Sequence, residues 1–596
     1  MSSRVRRHFH TIFPTAASQW MFLLASGVVA CTPITPAAVS PMSGKRAESR
    51  QGMVAASQSD AAAAGAEMLR LGGNAIDAFA ATAFALSVTD VSQTGLGGGG
   101  ALTFYDARTR RVEHLSFYPR SGASSAWGRS DSATARLQGR GAATPGMVAG
   151  VMQAHAKWGT LTRAQVMAPA IRLARDGFII SPLLARTIVS SRAKLLTDSL
   201  AAARFLPNGQ PLRPGDRLVQ PELAATLGLI ARDGAAGFYS GTVAEALSAK
   251  VQSRGGLIEV SDLASYPVAT MRPLCAPWRG YTVLGAPPPM GGSAVLEMLQ
   301  LADAAGLGSA TGYTEQPDVA VKLADVMRVG NADAGRWRGD PTSMYVPARG
   351  VVQPSFAATR AVLIGTALPD TVVPGDPARF ERAALANPCA AFDPFPASTI
   401  APTTVAPGGA STEPPSEPVS FTSHLAVVDA DGSAVSATTT VGVLFGSGVY
   451  TGGFFLNSAA ANFDARTRAP NRYANSTMSP TLILDGARVK LVVGAAGSQY
   501  IQPAIVQVTL RMLAFGEDPA LAVAAPRIHA SANSRDVEVE PGFPTSVYAA
   551  LVARGYRPVS RVADISFGGV HAVFVAKNGV RIGVADPRRD GVAVAQ

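Results

Sequence analysis

The chain has 596 residues, a formal net charge of +11, 47% hydrophobic residues and 16% charged residues. The length exceeds one ordinary hydrophobic core, and the composition is typical of a globular protein. The positive charge is spread without a dense Lys/Arg run after the N-terminus, so we expect no nucleic-acid partner. No His/Cys spacing indicates a metal site, and we expect no cofactor. Cys275 and Cys389 can pair in an oxidising compartment, although their separation makes this weak evidence.

The N-terminus has the features of an export signal. Three arginines in the first seven residues precede an apolar run over residues 20–30, which is too short to span a bilayer. The run ends in VVAC at 28–31, which resembles a bacterial lipobox with Cys31 as the lipidated residue. We therefore expect a signal peptide over 1–31 and a periplasmic protein anchored to a membrane by lipid. Ordinary signal cleavage nearby, with Cys31 incidental, is the alternative.

The next segments differ in composition. Residues 32–50 are rich in Pro, Ser and Ala and predict a tether. Residues 60–89 predict two helices separated by a break at 71–74. The glycine run GLGGGG at 95–100 then precedes a strand. It lacks the Lys-Ser/Thr of a phosphate-binding loop, and a dinucleotide loop would precede a helix, so we interpret it as close backbone packing at a buried site.

The second half of the chain changes character twice. Residues from about 146 to 340 are predicted to be mainly helical, with a short strand at 281–284. The Pro/Ser/Thr-rich stretch 387–420 is predicted to be disordered, because it cannot bury much apolar surface. Strand patterns and a helix follow Thr422. Helices packed outside two β-layers would suit this content.

Thr422 stands where the Pro/Ser/Thr-rich stretch meets a predicted strand. If the chain cuts itself before this residue, Thr422 gains a free α-amine beside its hydroxyl. These two groups form a nucleophile and its base on one residue. An ordinary loop threonine is the alternative.

Ten segments occur in an order typical of one family. They are LGGNAIDA at 71–78, GLGGGG at 95–100, TPGMVAG at 144–150, APAIRLARDGF at 168–178, LIEVSDLASY at 257–266, PPPMGG at 287–292, TSHLAVVDADGSAVS at 422–436, FGSG at 445–448, STMSPT at 476–481 and GAAGS at 494–498. Together they resemble the γ-glutamyltransferase (γ-glutamyl transpeptidase) family of N-terminal-nucleophile enzymes, and the resemblance covers roughly residues 52–596.

The resemblance implies a self-processing enzyme. Cleavage between Phe421 and Thr422 would give a large subunit over 51–421 and a small catalytic subunit over 422–596. Both would share one α/β (α+β) fold, a four-layer αββα sandwich. Thr422 would then attack γ-glutamyl amides such as glutathione and pass the acyl group to water or to an amine acceptor.

The resemblance also assigns roles to residues near the nucleophile. Thr440 matches a threonine that orients it, although a strand threonine with its hydroxyl in solvent is the alternative. Gly497 and Ser498 match the two glycines whose N–H groups stabilise the oxyanion. Ser498 keeps the N–H group and adds a side chain.

The glutamyl-binding residues of the family are altered in this chain. The position of the arginine that holds the substrate carboxylate falls on Tyr118 without gaps, and Arg120 lies two residues later as the candidate replacement. Asn462 stands at the position of the acidic residue that holds the α-amino group. A family asparagine corresponds to Gly442 and a family glutamine to Ala459. Ser476 and Thr477 keep a Ser-Ser pair with one conservative change.

Three functions remain open at this point. The first is a γ-glutamyltransferase or glutathione hydrolase acting on small-molecule amides. The second is an amide hydrolase of the same fold with a different acyl preference, which the altered clamp favours. The third is a non-catalytic scaffold lipoprotein, which the intact Thr422, Thr440 and glycine-rich segment disfavour.

Overall fold

The computed structural model describes residues 45–124, 126–127, 137–384, 388–400, 421–463 and 469–596. The predicted signal peptide and Cys31 lie outside these ranges, as do residues 401–420 of the stretch predicted to be disordered. The predicted tether extends too far, because residues Arg46–Ser49 form a strand paired with Arg581–Val584. Backbone pairing with a sheet edge outweighs the loop-like composition there.

The described residues contain twenty-one β-strands. In chain order they are β1 (Arg46–Ser49), β2 (Met53–Ala56), β3 (Gly99–Asp106), β4 (Arg111–Phe117), β5 (Phe178–Ile179), β6 (Arg217–Leu218), β7 (Ala269–Met271), β8 (Leu274–Trp278), β9 (Tyr281–Gly285), β10 (Phe421–Val428), β11 (Ala434–Gly442), β12 (Tyr450–Thr451), β13 (Phe454–Phe455), β14 (Thr481–Asp485), β15 (Arg488–Ala496), β16 (Ile528–Ala530), β17 (Asp536–Val539), β18 (Arg557–Ser560), β19 (Gly569–Val575), β20 (Arg581–Ala585) and β21 (Val592–Ala595).

The same residues contain nineteen α-helices. They are α1 (Ser59–Arg70), α2 (Ala75–Thr89), α3 (Gln138–Gly141), α4 (Met147–Trp158), α5 (Arg163–Asp176), α6 (Pro182–Ser190), α7 (Arg192–Leu195), α8 (Ser199–Phe205), α9 (Pro221–Asp233), α10 (Ala236–Tyr239), α11 (Gly241–Ser253), α12 (Val260–Ala264), α13 (Gly292–Ala304), α14 (Pro317–Trp337), α15 (Ala348–Val351), α16 (Pro354–Ala361), α17 (Ile501–Thr509), α18 (Pro519–Ala524) and α19 (Thr545–Ala553). Short 3-10 helices include Cys389–Phe392, Ala459–Asn462 and Ser498–Tyr500.

Two seven-stranded antiparallel sheets form the centre of the fold. Sheet I has the order β1-β20-β19-β15-β14-β9-β8, and sheet II has the order β21-β2-β10-β11-β3-β4-β7. The sheets pack face to face, with β10 and β11 of sheet II against β15 of sheet I. Alternate side chains of these strands therefore fill a shared apolar core, as face-to-face packing of two sheets requires.

Helices cover the outer face of each sheet. The helices α1, α2 and α4 pack on sheet II, while α13, α17 and α18 pack on sheet I. Every residue of α2 is buried, which its almost wholly apolar sequence predicts. These layers confirm the predicted αββα sandwich.

A disulfide joins Cys275 on β8 to Cys389, with the Cα atoms 5.6 Å apart. The prediction of disorder is therefore wrong for residues 388–400. This segment is also held by a hydrogen bond from the Phe395 N–H to the carbonyl oxygen of Pro273, at 2.7 Å. A covalent bond and backbone contacts fix a stretch whose composition alone cannot bury a core.

Candidate active site

The strand β10 begins beside the end of β11 in sheet II. Phe421 pairs with Gly442 and Ser423 pairs with Thr439, so the register shifts at Thr422. The extra residue of this β-bulge lies on β11, where Thr440 and Val441 stand opposite Thr422. Thr422 is the second residue of β10 and lies beside this irregularity.

The Thr422 hydroxyl faces a backbone donor from the other sheet. The N–H of Gly497, just after β15, donates to Thr422 Oγ1 at 3.1 Å. Thr422 is 3% exposed, so this contact is shielded from water. Gly497 has φ +128°, and a Cβ there would lie 2.9 Å from Gly568 N, so only glycine fits.

Thr440 contacts the peptide bond that would be cut. Its hydroxyl donates to the carbonyl oxygen of Phe421 at 2.5 Å and accepts from the N–H of Gly442 at 2.7 Å. The side chain is buried, so the alternative of a solvent-facing strand threonine is wrong. A donor on this carbonyl polarises it toward attack by the adjacent Thr422 hydroxyl.

The second predicted oxyanion donor follows Gly497. Ser498 opens a 3-10 helix that leads into α17, and the first N–H groups of a helix have no acceptor within the helix. Ser498 has φ +53°, a backbone conformation that favours glycine. A side chain on this backbone conformation is strained.

The glycine run before β3 has a packing role. A Cβ on Gly98 would lie 2.2 Å from the carbonyl oxygen of Thr440, and one on Gly100 would lie 2.5 Å from that of Thr438. The glycines therefore let β3 approach β11 closely at the nucleophile, which agrees with the interpretation of the run as close backbone packing.

A buried polar network supports the strand that carries the nucleophile, and sequence reasoning missed it. The Arg589 guanidinium donates to the carbonyl oxygen of Thr422 at 3.2 Å and also to the Gln93 side chain. Asp90 accepts from the Ser423 hydroxyl at 2.6 Å and from the Gln93 amide at 2.7 Å. Burial raises the pKa of Asp90, and the Ser423 hydrogen bond and the Arg589 charge oppose that rise.

A histidine lies below the nucleophile, between the two sheets. The ring of His424 is fully buried, and its Nδ1 lies 2.9 Å from the Thr438 hydroxyl. Burial lowers the pKa of His424 to about 3, so the ring is neutral at physiological pH. A Cβ on Gly494 would lie 2.2 Å from this ring, which explains one glycine of the GAAGS segment.

Arg120 contacts residues other than Asn462. Its guanidinium donates to the carbonyl oxygen of Asn471 at 2.9 Å and stands 5.5 Å from the centre of the Tyr473 ring. The residue that contacts Asn462 is Tyr118, whose hydroxyl accepts from the Asn462 amide at 2.9 Å. The structure therefore brings Asn462 together with Tyr118, and Arg120 has no hydrogen bond to Asn462 among the described residues.

Ser476 and Thr477 lie beside the loop that precedes α13. The Ser476 N–H donates to the carbonyl oxygen of Pro289 at 3.1 Å, and the Gln502 amide donates to that of Thr477 at 3.0 Å. The N–H of Asn475 donates to the carbonyl oxygen of Asn462 at 2.9 Å. This contact connects the segment to Asn462.

The described residues contain neither a membrane-spanning helix nor a cluster of metal-binding side chains. No helix in those ranges has the length and apolar character needed to cross a bilayer. Three or more His, Cys, Asp or Glu side chains do not converge there in a manner suited to holding a metal ion.

Two sheets between helices, with a threonine at a strand start facing a backbone N–H, define the class of N-terminal-nucleophile hydrolases. The family model for gamma-glutamyltranspeptidase matches residues 61–596. The chain belongs to that family.

Relatives with two different activities are similar to this chain over most of its length. The glutathione hydrolase proenzyme of Bacillus subtilis (strain 168) is 32% identical, with 91% of each chain covered. The acylase ACY 1 proenzyme of Pseudomonas sp. (strain V22) is also 32% identical, covering 92% of this chain and 94% of the relative. The crystal structure of a cephalosporin acylase from Bacillus halodurans superposes with a TM-score of 0.79 at 26% identity, covering 92% of this chain and 97% of the other.

Proposed function

We propose that the protein is a self-processing amide hydrolase and acyltransferase in which Thr422 is the nucleophile. The observation that carries this proposal is the arrangement around one peptide bond. The Thr440 hydroxyl donates to the Phe421 carbonyl oxygen, while the Gly497 N–H contacts the Thr422 hydroxyl. A polarised carbonyl and an adjacent, shielded hydroxyl are the two reactants of an N-to-O acyl shift.

Self-processing follows in two steps. Thr422 Oγ1 attacks the carbonyl carbon of Phe421, the C–N bond breaks, and the proton of the hydroxyl ends on the nitrogen that leaves. The product is an ester between Phe421 and the Thr422 side chain, with a free α-amine on Thr422. Water then hydrolyses this ester, which leaves a carboxylate on Phe421 and restores the hydroxyl.

Turnover uses the new α-amine as the base. Its ordinary pKa is about 7.7–8.0, so a useful fraction is neutral near pH 7.5. The amine takes the hydroxyl proton as Thr422 attacks the substrate amide, and the proton passes to the departing amine. The N–H groups of Gly497 and Ser498 stabilise the negative oxygen that forms. The acyl ester is then transferred to water or to a second amine.

The acyl group has two candidates. Similarity to the Bacillus subtilis glutathione hydrolase supports γ-glutamyl amides such as glutathione. Similarity to the Pseudomonas acylase supports a different acyl group. The contacts of Arg120 favour the second, because its guanidinium donates to the Asn471 carbonyl oxygen and lies over the Tyr473 ring.

We also propose export and lipid anchoring at Cys31, on the sequence alone. The arginines, the short apolar run and the VVAC segment support this location. Metabolic labelling with a radioactive fatty acid tests it, and Cys31→Ser should abolish the label while leaving self-cleavage intact.

The experiment for the nucleophile uses denaturing gels and N-terminal sequencing of the purified protein. We expect two bands, the smaller beginning at Thr422, and release of nitroaniline from an acyl 4-nitroanilide. Thr422→Ala should give one uncut band without turnover, while Thr366→Ala, an exposed control, should behave as wild type. An uncut wild-type chain, or a Thr422→Ala variant that still cuts, would overturn the proposal.

A further inference from the structure

The far end of the active site is three strands away from the nucleophile in sheet II. Thr440 on β11 pairs with Gly99 on β3, and Gly100 pairs with Phe117 at the end of β4. Tyr118 follows, so the row runs from Thr422 across β11 and β3 to Tyr118. Three strand spacings of about 4.8 Å make roughly 14 Å between the backbones. After allowance for the side chains at both ends, this distance corresponds to the length of a short acyl chain.

The pair at this far end is uncharged. The Asn462 amide donates to the Tyr118 hydroxyl at 2.9 Å, and Tyr118 is 2% exposed. The Tyr266 hydroxyl donates to the carbonyl oxygen of Tyr118 at 2.8 Å, which fixes the backbone there. The contact between Tyr118 and Asn462 therefore presents neutral dipoles to a ligand and no formal charge.

Two buried amide oxygens at this end of the site lack a hydrogen-bond donor among the described residues. Within the described part of the chain, Asn462 Oδ1 and Asn475 Oδ1 are both buried and have no hydrogen-bond partner. The two residues are adjacent in space, because the Asn475 N–H donates to the carbonyl oxygen of Asn462. Buried acceptors without partners are costly and uncommon, so a ligand N–H group that meets them gains affinity.

The described residues that form this end of the site, Tyr118, Asn462 and Asn475, offer a substrate carboxylate no cation. Two residues after Tyr118, the Arg120 guanidinium donates to the carbonyl oxygen of Asn471 and lies near the Tyr473 ring. Placing a carboxylate beside neutral groups without a cation carries a desolvation cost. The acceptors of Asn462 and Asn475 would also repel its oxygens.

We propose that Asn462 and Asn475 make the site select an acyl group that presents an N–H donor and carries no carboxylate. This inference rests on the proposed amide-cleaving function of Thr422. The acyl N–H would donate to Asn462 Oδ1 and Asn475 Oδ1, while the acyl carbonyl lies at Thr422. The Tyr118 hydroxyl holds the Asn462 amide so that its oxygen is the atom offered to the substrate.

Four 4-nitroanilides that share a four-carbon acyl backbone test the inference: 4-acetamidobutyryl, butyryl, glutaryl and γ-glutamyl. They differ in whether they carry an N–H donor, a carboxylate, both or neither. We expect the kcat/KM of the 4-acetamidobutyryl compound to exceed that of the butyryl compound about tenfold, since one hydrogen bond distinguishes them. It should also exceed the values for the glutaryl and γ-glutamyl compounds.

Variants locate the preference at the two asparagines. Asn462→Leu and Asn475→Leu should each bring the ratio of 4-acetamidobutyryl to butyryl turnover close to one. Asn208→Leu, which changes an exposed asparagine, should keep the wild-type ratio. Equal loss on all four compounds in both asparagine variants would indicate a structural role only and overturn the assignment.

The outcome also separates the two proposals. If the wild-type enzyme cuts itself and prefers the γ-glutamyl or glutaryl compound, the inference about the acyl pocket is wrong and the proposed function stands. If the chain stays uncut and no compound is hydrolysed, the proposed function itself fails.

Discussion

The Thr440 hydroxyl donates a hydrogen bond to the carbonyl oxygen of Phe421, the residue directly before the predicted cleavage point. In the uncut chain this oxygen becomes the negatively charged atom when Thr422 attacks. Thr440 is thereby placed to assist self-cleavage before it has any role in substrate turnover.

Replacing Thr440 tests this role. Thr440→Val keeps the shape and removes the donor, and we expect self-cleavage to slow by about 10²–10³-fold, as for loss of one oxyanion donor. Thr440→Ser keeps the hydroxyl and should cut at a rate near wild type. The measurement is the time course of conversion from one band to two. Equal rates in Thr440→Val and wild type would contradict the assignment.

Arg589 supports the nucleophile strand from behind. Arg589→Met would remove the donor to the Thr422 carbonyl oxygen. It would also remove the positive charge that stabilises the buried Asp90 carboxylate, so we expect a loss of about 3–5 kcal/mol in the free energy of unfolding. Denaturant unfolding should be compared in a Thr422→Ala background, where every chain is uncut. Arg232→Met, which removes an exposed ion pair with Asp233, should leave the free energy of unfolding nearly unchanged. A similar cost in both variants would argue against the network.

Buried histidines predict sensitivity to acid. Burial lowers the pKa of His114 and of His424 to about 3, that of His529 to about 4, and that of His571 well below its usual value. Below about pH 6.5 the unfolded chain binds protons at these four sites and the folded chain does not, so stability falls as the pH falls. Each ring contributes about 1.4 kcal/mol per pH unit, which makes about 5 kcal/mol per unit for the four.

Unfolding of the uncut Thr422→Ala protein between pH 7 and pH 5 measures this slope. His424→Gln should lower the slope by about a quarter, because one of the four sites is gone. Thr366→Ala, which changes an exposed residue that does not titrate, should keep the wild-type slope. Stability that stays constant from pH 6.5 to pH 5 would be incompatible with neutral buried rings.

Two variants of Ser498 separate the role of its backbone N–H group from that of its side chain. Ser498→Gly relieves a left-handed backbone that costs a non-glycine residue about 1 kcal/mol, so the variant should be as stable as wild type or more so. Ser498→Ala keeps the N–H group and should retain turnover within about twofold. A loss above tenfold in the alanine variant would mean that the hydroxyl, and not the N–H group, takes part.

The fold was largely predictable from local pattern, and parts of the site were not. The apolar sequence of α2 and the glycine break before it predict a buried helix pair, which the structure confirms. The contact of Arg589 with Thr422 joins residues 167 positions apart. No periodicity or spacing signals such a contact, because it depends on tertiary packing. In the sequence, the polar residues around Asp90, just before the glycine run, were the strongest indication of a buried polar network.

The residues of the proposed acyl pocket were also only partly predictable from the sequence. Counting positions in the sequence made Arg120 a candidate for the clamp, but the chain direction after β4 sends its side chain to Asn471. The hydrogen bond between Tyr118 and Asn462 was hidden, since 344 positions separate them. Residue identities along the sequence predicted what is altered in the pocket, and only the three-dimensional arrangement shows what replaces it.

Each sheet contains strands from both sides of the predicted cleavage point. Sheet II places β10 between β2 and β11, and sheet I places β20 beside β1 and β14 beside β9. Once the bond before Thr422 is broken, folding back from the denatured state becomes a meeting of two molecules. The midpoint of refolding should then depend on protein concentration, unlike that of the uncut chain. The fold therefore forms most readily in the uncut chain. After cleavage, the two subunits keep a structure that they would otherwise have to form by association.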